Sequence, residues 1–262
     1  MKNLRFKLAI GKNLVFILTS LPKARRMIKQ ADKYSDSDRF DFALEIMSRM
    51  CKASKSKIAI YGEENLPKES GFMMCPNHQG KFDGIAVLDS YKKPCRVLWR
   101  ADTADKFVAR ECCGLIAART IDVEHNLLGA LRTINAVGDD LKEKITYVIF
   151  PEGGYTDNKN NLQEFKSGCF RAALKSKAPI VPVCLYDSWK MMNYNKFGWI
   201  TMQLHYLKPI PYEEYGELKV DQIAALVKSR IQERMDEIKN GTFVGTPNRV
   251  LYETKRNKNK NR

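Results

Sequence analysis

A chain of 262 residues with 44% hydrophobic content can bury a sizeable core, which excludes a wholly disordered chain and fits one large domain with a small appendage. The formal net charge of +15 belongs to the ends: residues 1–30 hold eight Lys or Arg and no acid, residues 254–262 hold five more, and the rest carries 32 basic against 30 acidic side chains. A nearly neutral body without aromatics interleaved in a basic patch argues against nucleic acid as the partner, and basic ends mixed with apolar residues argue for an anionic membrane surface.

The N-terminal segment sets its charges among Leu4, Phe6, Leu8, Ile10, Leu14, Val15, Phe16, Ile17, Leu18 and Leu21. Its charge-free stretch, Asn13 to Pro22, is shorter than the roughly 20 apolar residues that cross a bilayer. No small-residue cleavage site precedes Lys23, so a secretory signal is not expected. An interfacial helix with a basic rim fits this pattern, the other reading being a helix packed on its own domain. After a polar break at Asp36–Asp41, Phe42, Ile46 and Met50 recur at spacing four beside Phe40, Ala43 and Met47, an amphipathic helix. Residues 1–55 are therefore expected to be an N-terminal membrane-interfacial pair of helices.

From residue 56 the period changes. Strands are expected at Lys57–Tyr61, Gly71–Cys75, Arg96–Arg100, Leu115–Ala118, Thr146–Phe150, Pro179–Leu185 and Trp199–Tyr206. Helices are expected at Phe82–Ser90, Asp105–Arg110, Asn126–Lys142, Ser167–Lys177 and Asp221–Lys239, the last with Asp221 as N-cap. Pro182 marks its strand as an edge or a strand end. The alternation predicts an α/β domain over residues 56–245, a mixed sheet flanked by helices. Residues 246–262, closing in KRNKNKNR, are expected to be a solvated basic tail. Seven scattered cysteines without a Cys-x-x-Cys pair read as reduced cytosolic thiols, and three isolated histidines do not make a zinc site.

Chemistry concentrates in a few strand-end loops. Asn77-His78-Gln79-Gly80-Lys81-Phe82-Asp83 follows an apolar run through Pro76. A histidine there can take a proton near neutral pH, and a carboxylate one helical turn on can fix its tautomer. Taken alone, the segment reads equally as a helix start with a solvated histidine. Phe150-Pro151-Glu152-Gly153-Gly154-Tyr155-Thr156 leaves a strongly apolar strand, and its glycines let backbone approach a ligand closely. Gly114 to Arg119 ends an apolar run in a planar cation suited to phosphate. Taken alone it reads as a surface arginine.

In this order, with Ile180-Val181-Pro182-Val183, these segments resemble the glycerol-phosphate acyltransferase superfamily, of the 1-acylglycerol-3-phosphate (lysophosphatidic acid) acyltransferase type. Asn77-His78 with Asp83 matches the NHxxxxD block, Gly114–Arg119 the glycine–arginine block, and Phe150–Gly153 the FPEG block. Val181-Pro182-Val183 matches the fourth. Gly62–Pro67 resembles the G-x-E-N-L-P lead-in, and Phe165–Gly168 the FKxG that follows the third block. The match spans roughly residues 57–210.

The resemblance implies transfer of an acyl group from acyl-CoA or acyl-carrier protein to the free hydroxyl of a lysophospholipid, giving phosphatidic acid or a related lipid at the cytoplasmic face of a membrane. His78 would be the general base and Asp83 its orienting partner. Asn77, Glu152, Gly153, Gly154 and Lys166 would line the acceptor site, and Arg119 would hold the phosphate. No metal, cofactor or covalent enzyme intermediate is implied. Lys81, inside the first block, offers a further cation for phosphate or oxyanion charge, against the reading of a solvated lysine. The sequence departs from the family at Gly154-Tyr155-Thr156, where Thr-Arg-Ser is usual, which opens the alternative of a different lysolipid or lipid-linked acceptor. The competing class is a non-catalytic basic protein that binds lipid or nucleic acid.

Overall fold

The computed structural model describes residues 4–193 and 198–253; the basic run 255–262 lies outside them. Two helices open the chain, α1 (Leu4–Lys29) and α2 (Asp36–Ala53). Then come β1 (Ser56–Tyr61), β2 (Met73–Pro76), α3 (Asp83–Tyr91), β3 (Arg96–Arg100), the short helices α4 (Ala101–Ala104) and α5 (Ala109–Leu115), and β4 (Arg119–Ile121). They are followed by α6 (Leu127–Lys142), β5 (Tyr147–Val148), a 3-10 turn leading into α7 (Arg171–Ser176), β6 (Ile180–Tyr186) and α8 (Lys190–Asn193). The described chain closes with β7 (Ile200–Tyr206), α9 (Tyr212–Tyr215), α10 (Val220–Asn240) and β8 (Arg249–Leu251).

The strands form one eight-stranded sheet in the order β4-β3-β5-β2-β6-β7-β1-β8. β4, β3, β5, β2 and β6 run parallel. β7 is antiparallel to β6, β1 is parallel to β7, and β8 is antiparallel to β1. This is the mixed sheet flanked by helices that the alternation predicts.

Each face of the sheet has its own core. Met74, Val97, Val148, Val181, Val183, Met202 and Leu204 pack with α1, α2, α3 and α5, while Met73, Cys75, Tyr147, Ile180 and Cys184 pack with α6, α7 and α10. Alternate residues of one strand serve opposite cores, which is why the central strands read as unbroken apolar runs.

Several local expectations are corrected. Asp36–Asp41 is not a break but the first turns of α2. Ser35 Oγ accepts from the Asp38 amide at 3.1 Å, and the Asp38 carboxylate accepts from the Ser35 amide at 3.1 Å, a reciprocal cap. Leu115 ends α5 rather than opening a strand. Residues 116–118 turn, with the Ala118 amide donating to Cys113 O at 2.8 Å, and β4 begins only at Arg119. Helix α10 starts at Val220, so Asp221 lies in its first turn and is not the cap.

Pro182 sits inside the sheet, between β2 and β7, not at an edge. It is tolerated because Val183 O faces β2, accepting from the Asn77 amide, so the Pro182 nitrogen faces the other side. There the Leu207 amide donates to Pro182 O at 3.0 Å, a contact that uses the proline's carbonyl and needs no N–H from it. Part of the segment read as a basic tail is strand β8, pinned by Arg249 to Glu63 at 2.7 Å, so the sheet runs to Leu251.

Helix α1 turns Ala9, Ile17, Leu21, Ala24 and Met27 inward against α2 and α5, and leaves Leu8, Leu14, Val15 and Leu18 exposed. One face of the helix thus packs on the domain, and the other presents apolar residues beside Lys7, Lys12 and Lys23. Among the described residues no helix is long and apolar enough to cross a membrane.

Candidate active site

The parallel strands all point their carboxyl ends the same way, and the loops there build the site. β2 ends at Pro76, and residues 77–82 bridge to α3. Asn77 Oδ1 accepts from the Leu185 amide at 2.7 Å and its Nδ2 donates to the Leu185 carbonyl at 3.1 Å, so this buried side chain ties the loop to β6. Both of its polar ends are thereby used within the protein; the structure makes it an anchor, where the sequence suggested a substrate ligand. Gln79 adds a second tie, donating to Leu185 O at 2.9 Å and accepting from Ser188 Oγ at 2.9 Å.

His78 stands between these anchors. Its Nδ1 lies 2.8 Å from Asp83 Oδ2, and the same oxygen accepts from the Gln79 amide at 2.5 Å and the Gly80 amide at 2.8 Å. A carboxylate oxygen offers only lone pairs, so Nδ1 carries the hydrogen and Nε2 keeps its own lone pair. Asp83 is fully buried while the His78 side chain stays 17% exposed. Phe150 at 4.3 Å and Tyr155 at 4.8 Å between ring centroids hold the imidazole from two sides.

The second loop follows β5. Glu152 Oε1 accepts from the His78 backbone amide at 3.1 Å, which joins the two loops directly. Gln163 donates to the other Glu152 oxygen and to Gly154 O. Burial pushes the Glu152 carboxyl above the usual range, against the opposing pull of Gln163 and the His78 amide. Gly153 has φ +69°, and the Lys166 side chain runs about where a Cβ would stand, with its Nζ 3.0 Å from that point. Any side chain there would meet both penalties. Lys166 is exposed and has no ion pair among the described residues, and its amide donates to Pro151 O at 2.8 Å. Lys81 is also exposed, its Nζ over the Phe6 ring at 5.0 Å.

Arg119 does not join this site. It opens β4 and grips Asp140 with Nε at 2.6 Å and Nη2 at 2.9 Å. Arg96, which opens β3, and Tyr147, which opens β5, bind the same carboxylate, so the cluster belongs to the amino-terminal side of the sheet. Gly114 lies in α5, where a Cβ would stand 2.7 Å from Ile28 of α1, so its role is close helix packing. Besides Lys166, a cation that reaches the glutamate loop is Arg100, at the carboxyl end of β3. Its Nη1 lies 3.4 Å from Gly153 O, and Nη2 pairs with Glu124 at 3.1 Å.

Sequence reasoning passed over Arg100, Gln79, Gln163 and Asn158, whose Nδ2 donates to His78 O at 3.3 Å. Except for Gln79, none sits in a block of fixed spacing. Arg100 alone left a usable signal, as a cation closing an apolar strand. Among the described residues no group of three or more His, Cys, Asp or Glu side chains could hold a metal ion.

A family model described as Acyltransferase matches residues 57–186. The 1-acyl-sn-glycerol-3-phosphate acyltransferase of Escherichia coli is 31% identical over 163 residues, which cover 62% of this chain and 66% of that protein. The Saccharomyces cerevisiae protein of the same name is 28% identical over 187 residues, covering 69% of this chain and 60% of that protein. The matches thus span about two thirds or less of these relatives. Among solved structures, the 1-acyl-sn-glycerophosphate (LPA) acyltransferase PlsC from Thermotoga maritima superposes with a TM-score of 0.71 at 19% identity, over 90% of this chain and 96% of that one. That likeness establishes the shared fold.

Proposed function

This chain belongs to the acyltransferase family, and from that premise we propose that it moves a fatty acyl group from a thioester, acyl-CoA or acyl-carrier protein, to the free hydroxyl of a lysophospholipid, 1-acylglycerol-3-phosphate first among the candidates. His78 Nε2 takes the hydroxyl proton as the acceptor oxygen attacks the thioester carbonyl. The tetrahedral intermediate collapses with cleavage of the C–S bond, and His78 returns its proton to the departing thiolate. Asp83 keeps Nδ1 protonated throughout and stabilises the imidazolium. General-base help of this kind gives about 10²–10⁴-fold. The chemistry needs neither metal nor cofactor, because the thioester is already activated.

The observation that carries this proposal is the His78 ring itself. It is fixed through Nδ1 by a buried aspartate, tied through its own amide to Glu152, and open at Nε2. The acceptor phosphate lies, on this proposal, against Lys166 and Arg100 at the glutamate loop, with Lys81 on the far side of the histidine. Tyr155 stands where the resemblance to the family's third block implies an arginine, which supports a second reading on the acceptor alone: a lysolipid whose headgroup is bulkier or carries a different charge. The exposed face of α1 supports peripheral attachment to an anionic membrane, and on this proposal that attachment is at the cytoplasmic face.

The test is an assay of the purified protein with labelled acyl-CoA and acyl-carrier protein and a panel of lysolipids. Acyl transfer to at least one lysophospholipid is expected. No transfer to any of them from either donor would remove the proposal.

A further inference from the structure

Exposed apolar side chains are distributed unevenly over this molecule. Of the twelve large ones exposed among the described residues, four lie on α1 and five on one other patch: Phe107, Val123, Leu127, Leu128 and Leu131. Singly exposed leucines need no explanation, but a contiguous group does. Phe107 follows β3 and α4, Val123 follows β4, and the three leucines lie in the first turns of α6, so the patch wraps the β4 edge at the carboxyl end of the sheet. Leu127 shares its angular position on α6 with Ile134 and Leu141, which are buried, whereas Leu127 is 69% exposed. The start of α6 therefore overhangs the core.

The patch is joined to the site. Glu124 pairs with Arg100, and Arg100 reaches Gly153 O. On the other side of the mouth, α1 begins beside the histidine loop, with Phe6 edge-on to Phe82 at 5.9 Å and Arg5 bonded to Gly198 O at 2.6 Å. α1 packs with the core on one face of the sheet and α6 with the core on the other. The two apolar surfaces thus belong to opposite faces of the sheet, and Tyr155, beside His78, is itself 37% exposed. Val244, beyond α10, is the exposed large hydrophobic of the opposite end.

We propose that the Phe107–Leu131 patch is a second lipid-contacting surface. It rests on the same bilayer as α1 and holds the mouth of the site flush with the membrane. This rests on the lipid-acyltransferase proposal above and adds the orientation of the protein on its substrate's surface. A single amphipathic helix leaves a protein free to roll about the helix axis; a second contact across the mouth removes that freedom. Exposed Lys106, Arg110 and Arg132 stand beside these apolar side chains, a mixture that complements an anionic lipid surface, and α1 supplies the continuity with a membrane.

The test uses the full chain and vesicles of phosphatidylcholine with phosphatidylglycerol. Leu127→Ser/Leu128→Ser is expected to lower vesicle partitioning about tenfold, a change of the size that burying two leucines in part would produce. Val15→Ser/Leu18→Ser on α1 serves as the comparison. Leu128→Trp is expected to gain fluorescence quenching by brominated lipid beyond that of the wild type. Wild-type partitioning in the α6 double variant, with partitioning lost in the α1 variant, overturns the second contact and leaves the acyltransferase proposal standing. So does a tryptophan at 128 that brominated lipid does not quench, or an α6 variant that changes only the oligomeric state, which would mark the patch as a contact between copies. The vesicle readout needs no turnover, so its result is independent of whether the enzyme proposal survives.

Discussion

Two aspartates, Asp83 and Asp140, sit at opposite ends of the parallel strands of the mixed sheet, and each collects several donors. Asp140 takes the Arg119 guanidinium through two nitrogens, Arg96 and the Tyr147 hydroxyl. Every charged partner there is answered within the protein. Burial raises the Tyr147 hydroxyl, and the carboxylate beside it adds to that, while Asp140 itself is held below the usual carboxylate range by its donors against its own burial. Asp83 takes two backbone amides and one imidazole nitrogen, and that imidazole has a second nitrogen still to use. One cluster is closed and locks strands; the other is open and offers a lone pair. A motif supplies residue types, but the sheet decides which end of it they reach.

That contrast can be broken at its strongest point first. Asp83→Asn is expected to lower kcat for acyl transfer by about 10²–10⁴-fold, because an amide can present N–H to Nδ1 and reverse the tautomer. Circular dichroism should remain that of the folded protein. An unchanged kcat would make Asp83 a loop fastener and nothing more.

Asn77→Ala is expected to cost about 1–3 kcal/mol of stability, since it strands the Leu185 amide in the core while Gln79 still donates to the Leu185 carbonyl. Where the variant is folded, KM for the acceptor should hold. A KM rise without a fall in melting temperature would return Asn77 to the substrate site.

Tyr155→Arg is expected to shift acceptor preference toward lysophosphatidic acid by about tenfold, the size of one added charge-assisted contact. Constant relative preference across a lysolipid panel would remove Tyr155 from specificity.

The smallest effect belongs to the closed cluster. Arg119→Ala is expected to lower stability by about 1 kcal/mol, discounted because the arginine side chain is 36% exposed, and to leave the acceptor KM unchanged. A large KM rise with unchanged stability would put Arg119 back at the phosphate.

The sheet was legible because its strands are short apolar runs bounded by turn residues, and the first and third blocks were legible because their chemistry is local. His78 and Asp83 are five residues apart and separated by one turn, so spacing alone brings them together. Arg119 misled for the same reason in reverse. Counting five residues from Gly114 says nothing about where helix α5 gives way to strand β4, and the cation falls at the start of the strand instead of its end. Gln163 and Asn158 were invisible because each acts through a partner at least 11 residues away, reached only once the sheet is assembled. β8 was hidden by its composition, a three-residue strand beside a run of basic residues.

The most direct measurement is kcat for acyl transfer to the best lysophospholipid acceptor by wild type and His78→Ala, with both proteins shown to be folded and bound to the same vesicles. The account predicts a fall of about 10²–10⁴-fold in the variant with KM little changed. Equal turnover by the two proteins would contradict it.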